Sequence, residues 1–390
     1  MPEAAIVSTA RTPIGRAFKG TLVDTDPFVL GQHVVTAAIA RSGLDPQRVD
    51  DIVLAESLYG GGDVARYVAV EAGLEHIPGA AVNRHCAAGL TAVINGASSI
   101  MAGMDQVVVA GGTHSSSTMP MSKRRVPGTA DWADWMSPSH RDTPDAPNMD
   151  MSITVGWNAA VEAGISREAM DAWACRSHER AVAGIDNGSF EDEIAPIEVA
   201  GPNGTSLFAV DEFPRRGTTM ESLAALKPLH PEIEGFSITA GNSSGMNDAA
   251  AAMVLTDLAL AEAEGIAPLA VVRGWASVGV APARTGLAPT VAIPKALARV
   301  GLTVDDIDLW EINEAFASMC VATCNVLGID DAKVNVLGSG CSLGHPIAMT
   351  GARMIMTLVH ELRRRGGGTG VAAMCAGGGM STAVVLDVPA

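Results

Sequence analysis

The chain repeats itself, and that repetition narrows its fold more than any single residue does. Gly43-Leu44 followed by Val49-Asp50-Asp51-Ile52 is echoed by Gly301-Leu302 followed by Val304-Asp305-Asp306-Ile307, with the Asp-Asp-Ile triplets 255 residues apart. Ala5-Ile6-Val7 matches Ala270-Val271-Val272 at an offset of 265, Val82-Asn83 matches Val334-Asn335 at 252, and Ala110-Gly111-Gly112 matches Ala376-Gly377-Gly378 at 266. Landmarks in one order, at offsets that differ only by loop-sized amounts, describe a duplicated unit. Within each copy, short Val/Ile-rich runs alternate with helical patterns, which predicts an α/β fold of mostly parallel strands covered by helices. Helices are expected over 31–42 and 87–103 with a buried strand at 106–110, then helices over 289–300, 314–327 and 346–365 with a strand at 370–375. Between the copies, from about residue 116 to 240, lies an insertion that reads as extended through 148 and helical over 166–183.

Composition removes several functions. At roughly 150 residues per domain, 390 residues make two or three domains with a sizeable core. A formal net charge of −17 repels nucleic acid and anionic lipid, so no nucleic-acid partner is expected. No run approaches the roughly 18 apolar residues of a membrane span, and the N-terminus enters a strand pattern at residues 5–7 without a signal peptide, so a cytoplasmic protein is expected. The six cysteines never form a Cys-x-x-Cys pair, which argues for free thiols in a reducing compartment rather than a disulfide framework or zinc site.

Three side chains in this pattern suit chemistry. Cys86 follows the strand-like run 80–82 and immediately precedes the helix 87–103, where a helix dipole favours a thiolate. A buried structural cysteine is the other reading of the same position. His345, between Gly344 and Pro346, occupies the corresponding strand-to-helix corner of the second copy, and also reads as a satisfied loop histidine. Cys375 ends a strand ahead of Gly377-Gly378-Gly379, whose backbone N–H groups suit an anion, and it equally suits a core position before a glycine turn. Two pseudo-equivalent units packed together bring corresponding strand ends near a shared axis, so Cys86, His345 and Cys375 are expected to converge. A thiolate nucleophile, an imidazole base and a second thiol suit covalent acyl transfer with a proton shuttle.

The segments around these positions resemble the thiolases, acetyl-CoA acyltransferases, over essentially the full chain. Val82-Asn83-Arg84-His85-Cys86-Ala87-Ala88-Gly89-Leu90 is similar to the family's nucleophile segment, with Ala88 where the family usually has Ser. Asn313-Glu314-Ala315-Phe316-Ala317 matches its Asn-Glu-Ala-Phe motif. Gly344-His345-Pro346 followed by Thr350-Gly351-Ala352-Arg353 is similar to its histidine motif, with Ile347-Ala348-Met349 replacing a glycine-containing run. Cys375-Ala376-Gly377-Gly378-Gly379 matches its second-cysteine motif.

The resemblance implies a five-layered αβαβα fold from two duplicated halves, 1–117 with 241–268 and 269–390, and an inserted loop domain at 118–240. It implies that Cys86 takes the acyl group as a thioester, that His345 activates it, and that Cys375 moves the proton on the α-carbon of acetyl-CoA. Asn313 would hold a water that, with His345, stabilises one thioester oxygen, while the backbone N–H groups of Cys86 and Gly377 make a second oxyanion hole. Coenzyme A or acetyl-CoA is the implied co-substrate, contacted by Arg215, Arg216, Ser222 and Ser244, with no permanently bound cofactor and no metal. A homodimer or homotetramer is also implied, with subunit strands adjacent near 106–110, although the loop 119–148 departs from the family's tetramer loop.

Departures from the family pattern sharpen the substrate expectation. His114 stands where a Glu is usual, Asp150-Met151-Ser152 where His-Met-Gly is common, Thr154-Val155-Gly156-Trp157-Asn158 where Thr-Ala-Glu-Asn follows, and Thr285-Gly286-Leu287-Ala288 where short-chain synthetic members carry a Met-Gly run. Losing a plugging Met leaves room for longer acyl chains, each buried CH₂ contributing up to about 0.8 kcal/mol. A degradative 3-ketoacyl-CoA thiolase is therefore expected over a dedicated acetoacetyl-CoA synthase. Two alternatives come from other classes. One is an acyl-CoA-binding protein without turnover, against which the intact cysteine, histidine and asparagine set argues. The other is a serine hydrolase, because Gly241-Asn242-Ser243-Ser244-Gly245 lies between a strand-like 235–239 and a predicted helix over 249–264, with His345 or His360 available downstream but no His-Gly-Gly segment.

Overall fold

The computed structural model describes residues 2–59, 62–201 and 204–390. The first half runs β1 (Ala4–Arg11), α1 (Pro27–Ser42), β2 (Asp51–Ala55), α2 (Val64–Glu71), β3 (Gly79–Val82), α3 (Ala88–Met101) and β4 (Val107–Ser115). After α4 (Arg167–Asp186), the strand β5 (Asn247–Asp257) returns to it. The second half is β6 (Ala270–Gly279), α5 (Pro289–Val300), β7 (Leu309–Ile312), α6 (Ala317–Leu327), α7 (Thr350–Arg364), β8 (Gly368–Ala376) and β9 (Met380–Val388). The helix ends follow from their residues. Asp26 caps α1 by accepting from Phe28 N–H with Pro27 at the first turn, and both α1 and α5 stop at a left-handed glycine, Gly43 and Gly301.

The strands form one ten-stranded sheet in the order β7-β8-β9-β6-β1-β5-β4-β2-β3, with Gly15–Arg16 added on β5. Only two residue pairs, Ala5↔Val271 and Ile6↔Ala270, join the halves across β1 and β6. Helices α3 and α7 pack on each other between the two sets of strands, where Leu90, Val93, Met354, Ile355 and Leu358 are buried. Helix α1 covers the outer face of the first set through Leu30, Val34 and Ala38, and α5 and α6 cover the outer face of the second through Ile293, Leu297 and Met319. These are the five layers, α, β, α, β, α.

The expectation of mostly parallel strands does not hold. Among the described residues, only the strand pairs β2–β3, β2–β4 and β7–β8 are parallel. Strands β8 and β9 form a hairpin across Gly377-Gly378-Gly379, and β5 runs antiparallel to both β1 and β4. The predicted helix over 249–264 is likewise corrected: its first part is the strand β5, and only Leu258–Ala263 is helical. The run of alanines favours a helix by propensity, but tertiary packing overrides it. Ala249, Ala251 and Met253 face the central layer while Ala250, Ala252 and Val254 face α1, so small side chains on both faces let two helix layers approach one strand. Gly111 on β4 tightens the pairing further, since a Cβ there would collide with the Ala251 carbonyl. The run 235–239 is not a strand but irregular backbone.

The duplication is visible down to hydrogen bonds, in a different register from the sequence match. Asp50 accepts from Val107 N–H at 2.9 Å while its own N–H donates to Val107 O at 2.9 Å; Asp308 does the same with Thr369 at 2.8 and 2.9 Å. Asp308, and not Asp305, is thus the counterpart of Asp50. The first strands of the two halves also share a bulge, between Ile6 and Ser8 in β1 and between Val272 and Gly274 in β6. The Asp-Asp-Ile repeat misleads because the acid that matters bonds to a neighbouring strand, a constraint that residue identity alone does not mark.

Candidate active site

The C-terminal ends of β3, β7 and β8 deliver the candidate residues. After β3, Asn83 Oδ1 accepts from His85 N–H at 2.8 Å and His85 adopts φ +46°, a tight turn that drops Cys86 just ahead of α3. The residue Cys86 is only partly buried, but its sulfur lies inside the protein, near enough to the Gly377 backbone N–H for that group to favour the thiolate. Gly377 belongs to the β8–β9 turn of the other half, so the two halves meet at this sulfur. Cys375, at the end of β8 and 2% exposed, is close enough to Cys86 for a thiolate there to disfavour its own ionisation, and its thiol stands 3.5 Å from Met319 Sδ. Asn313 follows β7, anchored by its N–H to Ala373 O at 3.0 Å, and both polar atoms of its buried amide are without a protein partner.

His345 is held from both sides. Gly344 adopts φ +98°, and a Cβ there would strike the Asn247 amide; that amide's Oδ1 accepts the His345 N–H at 3.1 Å. The His345 Nδ1 lies 2.7 Å from Thr350 Oγ1, whose single hydroxyl proton is directed to Pro346 O at 2.8 Å. Thr350 therefore accepts from Nδ1–H, which fixes the tautomer and leaves the lone pair on Nε2. That Nε2 is buried without a protein partner. Burial, with Arg353 and His114 nearby, pushes the imidazole down to about 3, so it is neutral and available as a proton acceptor.

The thiols carry a correction. The helix-start position led to a thiolate-favouring expectation for Cys86, but burial outweighs both that and the Gly377 N–H and pushes the thiol up to about 11. Burial raises Cys375 further. Both cysteines thus rest as thiols, and the nucleophile forms only as a proton leaves for a neutral base. The thiolate fraction rises with pH up to that value, so alkylation of Cys86 by iodoacetamide is expected to accelerate about tenfold per pH unit from pH 7 to 10. A rate that levels off below pH 8 would refute this ordering of effects.

The loop bearing His345 hangs on Glu314. Its buried carboxylate accepts from Trp173 Nε1 at 2.9 Å, Ser177 Oγ at 2.6 Å, Asn335 Nδ2 at 2.9 Å and Cys341 N–H at 3.1 Å. In Asn313-Glu314-Ala315-Phe316, one residue thus faces the site and the next ties down the loop. The sequence alone does not mark Asn247 and Met319 as neighbours of the site, nor the role of Thr350. The spacing of Thr350 one helical turn beyond Pro346 was the available signal.

The four expected coenzyme A contacts do not join the buried cluster. Arg215 lines two neighbouring cavities, of about 320 and 470 Å³. Arg216 and Ser222 line the smaller and Ser244 the larger. Arg216 is paired with Asp186 at 2.5 Å, and Ser222 is engaged in a capping box with Thr219. The hydrolase reading loses its geometry: Ser243 follows no strand and precedes β5 rather than a helix, its hydroxyl donates to Thr239 O at 2.6 Å, and His360 is bound to Thr9 Oγ1 at 2.8 Å.

Comparison with known proteins shows the family. The family profiles described as "Thiolase, N-terminal domain" and "Thiolase, C-terminal domain" match residues 4–258 and 266–388. The chain is 38% identical to an acetyl-CoA acetyltransferase of Cupriavidus necator, covering 99% of this chain and 100% of that protein. It is 39% identical to a 3-ketoacyl-CoA thiolase of Bacillus subtilis, covering 100% of both. The crystal structure of human mitochondrial 3-ketoacyl-CoA thiolase superposes with a TM-score of 0.90 at 33% identity, covering 99% of each chain. With a duplicated α/β fold and matches that span it from end to end, the chain belongs to the thiolase family.

Proposed function

We propose that the protein is an acetyl-CoA C-acyltransferase that cleaves 3-ketoacyl-CoA with coenzyme A, reversibly, through an acyl-Cys86 intermediate. The observation that carries this reading is the pairing of two buried thiols from different halves, Cys86 beneath the Gly377 N–H and Cys375 beside it, with a neutral His345 whose Nε2 is free. In cleavage, the Cys86 thiol gives its proton to His345 and the sulfur attacks the 3-keto carbon. The Gly377 and Cys86 N–H groups stabilise the oxyanion. The bond between C2 and C3 breaks, its electron pair passes to C2, and C2 takes the Cys375 proton as acetyl-CoA forms. Asn313 and His345 stabilise the enolate oxygen during that transfer, Asn313 through a water. Coenzyme A then gives its thiol proton to the Cys375 thiolate and attacks the acyl-Cys86 thioester, and the departing Cys86 sulfur regains its proton from His345 as the shortened acyl-CoA leaves.

Coenzyme A is the co-substrate, and Arg215, Arg216, Ser222 and Ser244 are its contacts in this reading. The chain divides into a first half at 1–117 with 241–268, an inserted domain at 118–240 and a second half at 269–390. No helix among the described residues is long and apolar enough to cross a membrane, and a cytoplasmic setting is the reading we favour. The enzyme assembles as a homodimer or homotetramer, for which light scattering should give at least twice the mass of one chain; a stable active monomer would refute it.

The acyl chain is longer than that of acetoacetyl-CoA. Thr285 stands where short-chain members carry a Met, and its hydroxyl is turned to backbone, donating to Pro282 O at 2.6 Å and accepting from Gly379 N–H at 2.9 Å. Comparing kcat/KM for coenzyme A-dependent cleavage of C4, C8 and C16 3-ketoacyl-CoA is expected to favour C8 or C16. A clear C4 preference with negligible C8 cleavage would reject the chain-length reading and leave the thiolase reading intact.

A further inference from the structure

His114 is a fully buried histidine to which the proposed chemistry gives no part. It lies near the end of β4, and the alternation of that strand settles which way its side chain leaves. Val108 and Ala110 pack into the central layer, and a Cβ on Gly112 would strike the Ala348 carbonyl. His114, two residues on, projects from that same face, toward the segment that carries His345. The two rings are close enough for a charge on His114 to make His345 harder to protonate. Strand β4 belongs to the first half and His345 to the second, so the histidine pair spans the junction between them.

A chain of hydrogen bonds runs from the His114 ring to the His345 backbone. The His114 Nε2 lies 3.1 Å from Ser116 Oγ, and that hydroxyl donates to the Asn247 main-chain carbonyl at 3.3 Å. The Asn247 amide in turn donates to Gly15 O at 2.9 Å and accepts the His345 N–H at 3.1 Å. Burial pushes the His114 ring down to about 4, so it is neutral. The charged side chains around the pair are engaged elsewhere: Arg353 bonds Glu311 at 2.9 Å, and Asp248, beside Asn247, accepts from Ser117 N–H at 3.0 Å and from the Ser117 hydroxyl. Among the described residues neither histidine is paired with a carboxylate. The imidazolium formed when His345 takes a proton therefore has a neutral ring, and not a countercharge, at its side.

We infer that His114 is a positioning residue for His345: its uncharged ring braces, through Ser116 and Asn247, the backbone that presents the base, and occupies a place from which a carboxylate would hold a proton on His345. This rests on the thiolase reading for the part that His345 plays. A base left without a countercharge returns its proton readily. That suits a residue which takes a proton from Cys86 and gives it back when the acyl group leaves.

Three variants separate bracing from charge. His114→Leu removes the bond to Ser116 and is expected to lower kcat for thiolysis by about tenfold or more, with KM for the acyl-CoA within about twofold. His114→Gln keeps a neutral polar group and is expected to restore kcat to within about threefold of the unmodified protein. His114→Glu puts a carboxylate beside His345, which favours the imidazolium. Because catalysis needs the neutral ring, the acid limb of kcat/KM should then move up by about one pH unit or more. A His114→Leu enzyme as active as the unmodified protein, or a loss that His114→Gln shares, would overturn the bracing. An acid limb unmoved in a folded His114→Glu enzyme would overturn the charge effect. Should the buried substitutions unfold the chain, Ser116→Ala breaks the same chain of bonds without changing the ring; it is expected to lower kcat by about threefold or more with the acid limb in place, and unchanged kcat would overturn the inference. Titration of the His345 ring by nuclear magnetic resonance reads the charge effect without turnover. If thiolysis is absent but the ring titrates about one pH unit or more higher in His114→Glu, the thiolase activity fails and the role of His114 stands. If thiolysis proceeds while neither the ring nor the rates respond, the role of His114 fails and the activity stands.

Discussion

Cys86→Ala is expected to abolish acyl transfer, lowering kcat/KM for thiolysis by about 10⁴-fold or more, because no other group can form the thioester. The side chain it shortens is one sulfur at the head of α3, and the turn that sets it relies on Asn83 and His85 rather than on the thiol. The fold should therefore survive, which a circular dichroism melt would establish. Mass spectrometry after incubation with acetoacetyl-CoA should find an acyl adduct on the Cys86 peptide of the unmodified protein and none in the variant. An adduct on Cys341 or Cys375 would overturn the assignment. Cys341 is the more instructive control, since it is buried, its backbone N–H is held by Glu314, and burial raises its thiol well above the ordinary range.

Cys375→Ser is expected to separate two steps that Cys86→Ala removes together. Acylation of Cys86 from acetyl-CoA needs a nucleophile and a base, both intact in the variant. Condensation and thiolysis of a 3-ketoacyl-CoA also need a proton moved at C2, and these should fall by about 10²- to 10⁴-fold. The serine hydroxyl is a far weaker acid than the thiol, and it would sit beside Met319 Sδ, a poor acceptor, in a buried position. Normal thiolysis by the variant would rule out the two-cysteine mechanism. Loss of acyl-enzyme formation in the same variant would show that Cys375 acts earlier than proposed.

The sequence made the duplication, the layering and the identity of the candidate residues legible, because these depend on what repeats and on which short segments surround Cys86, His345, Asn313 and Cys375, but it misplaced His345, which stands at the end of a long loop and not at a strand-to-helix corner. It did not make the environment of those residues legible. A helix-start cysteine looks like a stabilised thiolate until its enclosure is known, and at Cys86 burial outweighs even the N–H of Gly377, nearly three hundred residues along the chain. The alanine run in β5 looked helical for a related reason: its small residues are there to let α1 and α3 close on a single strand, a demand set by the neighbours. The role of Thr350 became plain only when its one proton was found committed to Pro346.

The position of β5 also bears on how the chain is made. It lies between β1 and β4, yet it is synthesised more than a hundred residues after β4 and some two hundred and forty after β1. Until residue 257 has left the ribosome, β1 and β4 each keep an edge whose backbone groups have no partner, on strands whose residues are buried in the finished protein. Pairings so distant in sequence form slowly, and an unpaired apolar edge invites a neighbouring nascent chain. The same strand that completes the first half therefore sets the interval during which that half is most exposed to aggregation and most dependent on chaperones.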